Sequence, residues 1–275
     1  MSQDGLQQKY RLLQSLLEQM GSVLVAYSGG VDSTFLLKVA HDVLGEQAVA
    51  VTACSQTYPA RELEEARAMA REIGARHLII VSEELEIPGF ADNPPDRCYF
   101  CKSELFSKLL QVARAEGLRY IVDGTNRDDL AEHRPGRQAA QELGIRSPLL
   151  EAGLGKGEIR ALSRELGLPT WGKPSMACLS SRFPYGVAIT REKLKMVEEA
   201  EEYLRGLGFR QVRVRHHEDI ARIEVGPEEM SRFLAGGFGE AIARRLKELG
   251  YTYVVLDLEG YRPGSLNEVL KKGAR

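Results

Sequence analysis

No stretch of this sequence approaches the roughly 18 consecutive apolar residues that a membrane-spanning helix needs. Its first residues, MSQDGLQQKYRLLQSLLEQM, are polar and amphipathic, without the basic start and apolar run of an export signal. The cytoplasm is therefore the expected compartment, and no membrane partner is expected. Excess positive charge is missing too: 37 Lys and Arg face 39 Asp and Glu, for a formal net charge of −2 and a pI near 6.3. Such a balance has no general attraction for nucleic-acid phosphates, so no nucleic acid is expected as a partner. Cysteine is scarce, at four residues, which does not look like a secreted disulfide framework. Two of the four are paired as Cys98-Tyr-Phe-Cys101, and in a reducing compartment they suggest metal or sulfur chemistry. Internal repeats and low-complexity tracts are absent. What is present, 43% hydrophobic and 28% charged over 275 residues, is a globular composition long enough for two unequal domains.

Leu6, Tyr10, Leu13 and Leu17 recur at helical spacing and predict a leading helix over 3–20. VLVAYS at 23–28, AVAVTACS at 48–55, HLIIVS at 77–82 and RYIVDG at 119–124 are short apolar runs typical of buried parallel strands. Helices are predicted between them over 32–44, 59–73 and from Cys98 to about 116, the second with an acidic face of Glu62, Glu64 and Glu65. This alternation predicts an α/β fold with a doubly wound parallel sheet, whose ligands bind at the carboxyl ends of the strands. The proline-rich PGFADNPPDR at 88–97 predicts a loop delivering Cys98 and Cys101 to the next helix. After Gly153 a helix over 156–166 is followed by the loop LPTWGKPSMACLSSRFPYG, which contains Cys178. From Thr190 a helix, RQVRVRHH, ARIEVG, a helix near 238–249 and YTYVVLDL predict a smaller α+β module, giving domains 1–186 and 187–275.

The sharpest chemical signal is Ser28-Gly29-Gly30-Val31-Asp32-Ser33, where a buried strand gives way to a helix. Glycines let the backbone curl around an anion, and the first-turn amides and dipole of the next helix favour negative charge there. Ser28 and Ser33 add hydroxyl donors; Asp32 reads as a magnesium-side ligand or a first-turn helix residue. The loop lacks the Gly-Lys-Ser/Thr ending of a Walker A sequence. Instead it resembles the PP-loop, SGGxDS, of the ATP pyrophosphatases, which implies cleavage between the α and β phosphates of ATP and transfer of AMP to the substrate. Asp123-Gly124-Thr125-Asn126-Arg127-Asp128-Asp129 follows the fourth strand onto the same rim and resembles the DGTNxDD segment of those enzymes, which implies that Gly124 and Thr125 face nucleotide. Standing alone, it would read as an Asx-rich turn.

The segment from Lys173 to Gly186, with LGKGEIRALSRELGLP before it and GYRPGSLN near the end, resembles the LarE family. These are pyridinium-3,5-biscarboxylic acid mononucleotide sulfurtransferases of nickel-pincer cofactor synthesis. The resemblance runs from the PP-loop to Asn267 and implies an adenine nucleotide alpha hydrolase-like fold, ATP and magnesium as cofactors, a mononucleotide substrate and sulfide or another sulfur donor. It also implies that Cys178 is the sulfur donor or a cluster ligand, and that Arg182, Arg213 and Arg215 lie toward substrate. The family tends to assemble through its C-terminal module, so a homo-oligomer is expected.

In the best-known pattern of that family one cysteine gives up its own sulfur. Here Cys98 and Cys101 accompany Cys178, and three thiolates can hold three irons of a 4Fe–4S cluster and leave the fourth open for hydrosulfide. A zinc site completed by Cys54 and Cys178 is the alternative. Arg213 and Arg215 alternate with Val212 and Val214, which puts both guanidinium groups on one face to suit a phosphate monoester, or to form a solvated edge, with the valines inward. His216 and His217 receive no role. Rival readings are a PP-loop tRNA thiolase, which needs an RNA surface, an ammonia-dependent amide-forming synthetase, which needs no cysteine trio, and a nucleotide sensor without turnover.

Overall fold

The computed structural model describes residues 3–131, 135–174, 177–235 and 237–272. The chain divides into two compact units. One comprises Met1–Ile87 and Asp96–Met176; the other comprises Pro88–Pro95 and Ala177–Arg275.

In the first unit the order is α1 (Gln3–Met20), β1 (Val23–Ala26), α2 (Val31–Leu44), β2 (Ala48–Cys54), α3 (Ala60–Ile73) and β3 (Arg76–Val81). It continues with α4 (Arg97–Ala115), β4 (Tyr120–Val122), α5 (Gly136–Glu142), α6 (Pro148–Glu151) and α7 (Lys156–Glu165). All strand pairs are parallel, in the order β3-β2-β1-β4. Both faces of β1, β2 and β4 are covered, which is why these strands read as unbroken apolar runs rather than alternating ones, whereas Ile79 and Val81 of the edge strand β3 are exposed. Val23, Val25, Ala48, Ala50 and Val122 pack with Leu13, Leu17, Phe35 and Ile159 on one side. Leu24, Val49, Val51 and Ile121 pack with Phe106, Leu109 and Ala140 on the other. This is the doubly wound α/β sheet expected. The direction of strand addition reverses between β1 and β4, and the crevice beyond their carboxyl ends is where such sheets bind ligands.

The second unit contains α8 (Arg191–Gly206), β5 (Val212–His217), β6 (Ile220–Val225), α9 (Met230–Ala235), α10 (Gly239–Glu248) and β7 (Tyr253–Leu256). Its sheet has the order β5-β6-β7, antiparallel then parallel. Leu204, Phe209, Val212, Val214, Ile223, Ile242 and Leu246 form its core. The sequence expectation put the domain boundary near Gly186, whereas the compact units divide at Met176 and Ala177. Residues 179–183 belong with the second unit because Arg182 is buried against Glu201 of α8, and 88–95 join them through hydrogen bonds of Asn93 with Phe183, Pro184 and Gly186.

Candidate active site

β1 ends where Tyr27 N–H donates to Val51 O at 2.9 Å, and the next three residues turn the chain into α2. Gly29 has φ +65°, a left-handed conformation that glycine adopts without cost, and a Cβ there would lie 2.9 Å from Cβ of Ala66 in α3. The glycine therefore meets both a conformational demand and a close approach. Gly30 precedes the helix in extended conformation, and its carbonyl accepts from Thr34 N–H at 3.0 Å. The first amides of α2 have no acceptor within the helix, and over 14 residues its dipole reinforces their positive field. The two hydroxyls hold each other: Ser28 N–H donates to Ser33 Oγ at 3.2 Å, and the Oγ atoms are 3.1 Å apart. Asp32 is half-buried in the first turn of α2.

The loop after β4 meets this turn. A Cβ on Gly124 would stand 3.0 Å from Ser33 N and 3.3 Å from Asp32 C, so the two motif loops touch through backbone. Asp123 organises the second loop, accepting from Thr125 N–H at 3.1 Å, Thr125 Oγ1 at 2.7 Å and Ser147 Oγ at 2.7 Å. Asp128 takes the N–H of Lys156 at the start of α7 at 2.8 Å, and Asp129 takes that of Asn126 at 3.1 Å. The Asx-turn character of the segment is thus real, and it serves to lay Gly124 against α2. Ser28, Gly29, Gly30, Asp32, Ser33, Gly124 and Thr125 all fall at one edge of one sheet.

Sequence reasoning missed two neighbours of the loop. Tyr58 Oη donates to Ser28 O at 2.8 Å, and Lys173 Nζ donates to Gly29 O at 3.3 Å while pairing with Glu62 at 2.7 Å and Glu65 at 2.8 Å. Glu62 and Glu65 are therefore partners of a half-buried lysine; of the acidic face read on this helix, Glu64 alone stands fully toward solvent. Burial, with Glu62 and other nearby groups adding to it, raises the Tyr58 phenol above its ordinary value, so it remains a donor. Burial acts to raise Glu65, but hydrogen bonds from Lys173 and Arg61 hold it below the usual carboxylate range.

Cys98 and Cys101 lie in the first turn of α4, three residues apart and so on one face, Cys98 exposed and Cys101 half-buried. Cys101 Sγ is 3.6 Å from Glu84 Oε1, and the buried Glu84 also accepts from Thr57 Oγ1 at 2.9 Å. Cys54 is half-buried at the end of β2; Cys178 is exposed in the second unit. Ser175 and Met176 of the motif preceding Cys178 lie outside the described residues. Among the described residues no three His, Cys, Asp or Glu side chains gather as a metal-binding group.

The arginines differ most from expectation. Arg182 is 2% exposed and forks onto Glu201 through Nε at 2.7 Å and Nη2 at 2.8 Å, while Nη1 donates to the carbonyls of Ala177 and Cys178. Glu201, fully buried, also accepts from Arg205 Nη2 at 2.8 Å and Val214 N–H at 3.1 Å. Burial alone would raise Glu201, but Arg182 draws it down to about 2. Arg215 forks onto Glu224 at 2.9 and 2.8 Å and donates to Ser181 O at 2.8 Å. Arg213 stacks over the Tyr261 ring at 5.3 Å, and burial with Arg182 nearby lowers it to about 10, so it stays cationic at neutral pH. The valines of β5 face inward as expected, but the arginine face is covered as well, because the chain near Ser181, Tyr261 and Ser265 lies over it. Arg182 and Arg215 are thus committed to carboxylates within the unit.

A family model described as asparagine synthase matches residues 11–99, the part carrying β1, the glycine loop and α2. The pyridinium-3,5-bisthiocarboxylic acid mononucleotide synthase of Lactiplantibacillus plantarum is 42% identical over 96% of this chain and 95% of its own length. The chain belongs to that synthase family. It is accordingly an enzyme of an ATP-using superfamily. A Synechocystis protein without an assigned function is 49% identical over 97% of this chain and 100% of its own length. One subunit of the glutamine-hydrolysing GMP synthase of Archaeoglobus fulgidus is 27% identical over 66% of this chain and 63% of its own length. No described helix is long and apolar enough to cross a membrane.

Proposed function

We propose that this enzyme is an ATP-dependent sulfurtransferase that converts the carboxylates of pyridinium-3,5-biscarboxylic acid mononucleotide into thiocarboxylates. The observation that carries this reading is the full-length 42% identity to a synthase of the bisthiocarboxylic product. The geometry agrees with it: an amide-lined loop without a Walker lysine suits the gripping of β and γ phosphates while the α phosphate is attacked.

In this mechanism the loop from Ser28 to Ser33, with Gly124 and Thr125 beside it, binds the polyphosphate. Asp32, a hard oxygen donor at the head of α2, would hold magnesium. A substrate carboxylate oxygen attacks the α phosphorus, the α–β bridging bond breaks and pyrophosphate leaves. Sulfide then attacks the acyl carbon and the carbon–oxygen bond to AMP breaks, giving the thiocarboxylate. Where the Cys178 thiolate attacks instead, the resulting thioester releases thiocarboxylate only when the Cβ–Sγ bond of Cys178 breaks with loss of its Cα proton. Cys178, exposed in its loop, is the catalytic thiol or the ligand nearest the transferred sulfur. Arg182 and Arg215 fix that loop through the carbonyls of Ala177, Cys178 and Ser181, and Arg213 is the contact proposed for substrate phosphate.

Cys98 and Cys101 offer two soft donors from one helical turn, a donor set that fits iron or zinc; with Cys178 they would hold a 4Fe–4S cluster. When bound, such a cluster supplies an open iron that accepts sulfide. The first unit is proposed as the nucleotide domain and the second as the substrate and assembly module, in a cytoplasmic homo-oligomer.

Cys178→Ala should abolish sulfur transfer and leave pyrophosphate release; joint loss of both would sink the division of labour. Anaerobic purification with iron, sulfide and zinc analysis of wild type and Cys98→Ala tests the cluster, and stoichiometric zinc without iron would overturn it. The GMP synthase likeness keeps an amide-forming reading in view, and ammonia-dependent AMP formation that survives loss of all three cysteines would favour it.

A further inference from the structure

The glycine loop has little side chain of its own to fix its peptide planes, yet two residues outside it take its carbonyls. Tyr58 Oη donates to Ser28 O at 2.8 Å, and Lys173 Nζ donates to Gly29 O at 3.3 Å. In a trans peptide the C=O and the following N–H point to opposite sides, and no cis bond occurs among the described residues. With Ser28 O turned to Tyr58, the N–H of Gly29 faces the other way. With Gly29 O turned to Lys173, so does the N–H of Gly30. Neither amide has an acceptor among the described residues.

Both clamps are braced. Lys173 comes from 144 positions along the chain, and its ammonium is divided between Glu62 at 2.7 Å and Glu65 at 2.8 Å. That neutralisation makes it a fixed hydrogen-bond donor rather than a free charge. Tyr58 precedes α3, the helix that also carries Glu62, Glu65 and Ala66, so one element supports the loop at each of these points.

We propose that Tyr58 and Lys173 are positioning residues for the nucleotide: by occupying the carbonyls of Ser28 and Gly29 from outside, they preset the amides of Gly29 and Gly30 as donors to the polyphosphate. This rests on the ATP-binding reading of the loop. Preset amides carry no reorganisation cost on binding, whereas a glycine loop without clamps would sample other plane orientations.

The test is calorimetric titration of the full chain with the magnesium complex of α,β-methylene-ATP and, separately, with AMP, which lacks the outer phosphates. Tyr58→Phe and Lys173→Met should each weaken the triphosphate analogue about tenfold and leave AMP within about twofold, the scale of one lost hydrogen bond. A general loss of structure would lower both ligands together, and that outcome overturns the proposal. So does wild-type triphosphate affinity in both variants. Loss in Lys173→Met with none in Tyr58→Phe would replace positioning by direct charge contact. A wild-type chain that binds no triphosphate would instead overturn the ATP reading itself. Because Tyr58→Phe removes a single oxygen, it keeps the test open if the lysine variant does not fold.

Discussion

Gly29 and Gly30 are adjacent and look equivalent as letters, but the fold treats them differently. A side chain at Gly29 would combine φ +65° with a 2.9 Å clash against Ala66, while at Gly30 it would meet only Ser28 Oγ at 3.4 Å. Gly29→Ala should therefore destabilise the protein by about 1–3 kcal/mol and cut pyrophosphate release at least about tenfold, while Gly30→Ala costs under about 1 kcal/mol. Thermal melts and a pyrophosphate assay on the two variants check this. At Glu201 the charge is central: removing it leaves Arg182 and Arg205 buried or half-buried without their shared acceptor. Glu201→Ala should cost about 3–5 kcal/mol by urea unfolding, and a cost below about 1 kcal/mol would refute the central role. Such roles were poorly legible beforehand. Alternation along β5 revealed that Arg213 and Arg215 share a face, but period-two spacing says nothing about what covers that face. Tyr58 and Lys173 act on backbone carbonyls, which carry no residue-type signature at all.

Among the elements, the four parallel strands and the helices between them were readable to within a few residues, because the strands are short apolar runs and the helices fill the longer mixed intervals between them. α5 and α6, at 7 and 4 residues, were not, since segments that short have no measurable period and exist through packing. Strand order was equally silent: nothing local to RYIVDG says that β4 pairs with β1 rather than β3. That pairing is what places Gly124 against the first turn of α2. Gly124→Ala must push Ser33 and Asp32 backbone aside from 3.0 and 3.3 Å, so β4 and α2 are expected to separate slightly at the rim. The expected result is a loss of about 1–3 kcal/mol with a rise in the KM for ATP, checked by denaturant midpoint and steady-state kinetics. An unchanged KM would show that the second loop does not shape the nucleotide site.

For the whole molecule, two buried groups set the acid limit. His216, packed between Phe183 and Tyr251, is pushed by burial, with Lys193 and His217 adding, from 6.5 to about 4. The unfolded chain takes this proton first as pH falls, so the stability due to His216 is complete above 6.5 and lost between 6.5 and 4. Glu201 goes from 4.5 to about 2, so its contribution is present above 4.5 and disappears as pH falls toward 2. Urea midpoints measured from about pH 7 to about pH 2.5 should fall in two stages, the first flattened by His216→Phe and the second by Glu201→Gln. A single stage untouched by either variant would refute the assignment.

Residues 88–95 belong to the second unit although they are encoded between β3 and α4. The chain thus passes from one unit to the other at Pro88, returns at Asp96 and leaves again at Ala177. Cutting the gene once, anywhere, cannot separate the two units with both intact. A relative that exchanged its C-terminal half by one recombination event would inherit Asn93 from one parent and its acceptors, the carbonyls of Phe183 and Pro184, from the other. Inheritance of the two units is tied together by eight residues of loop.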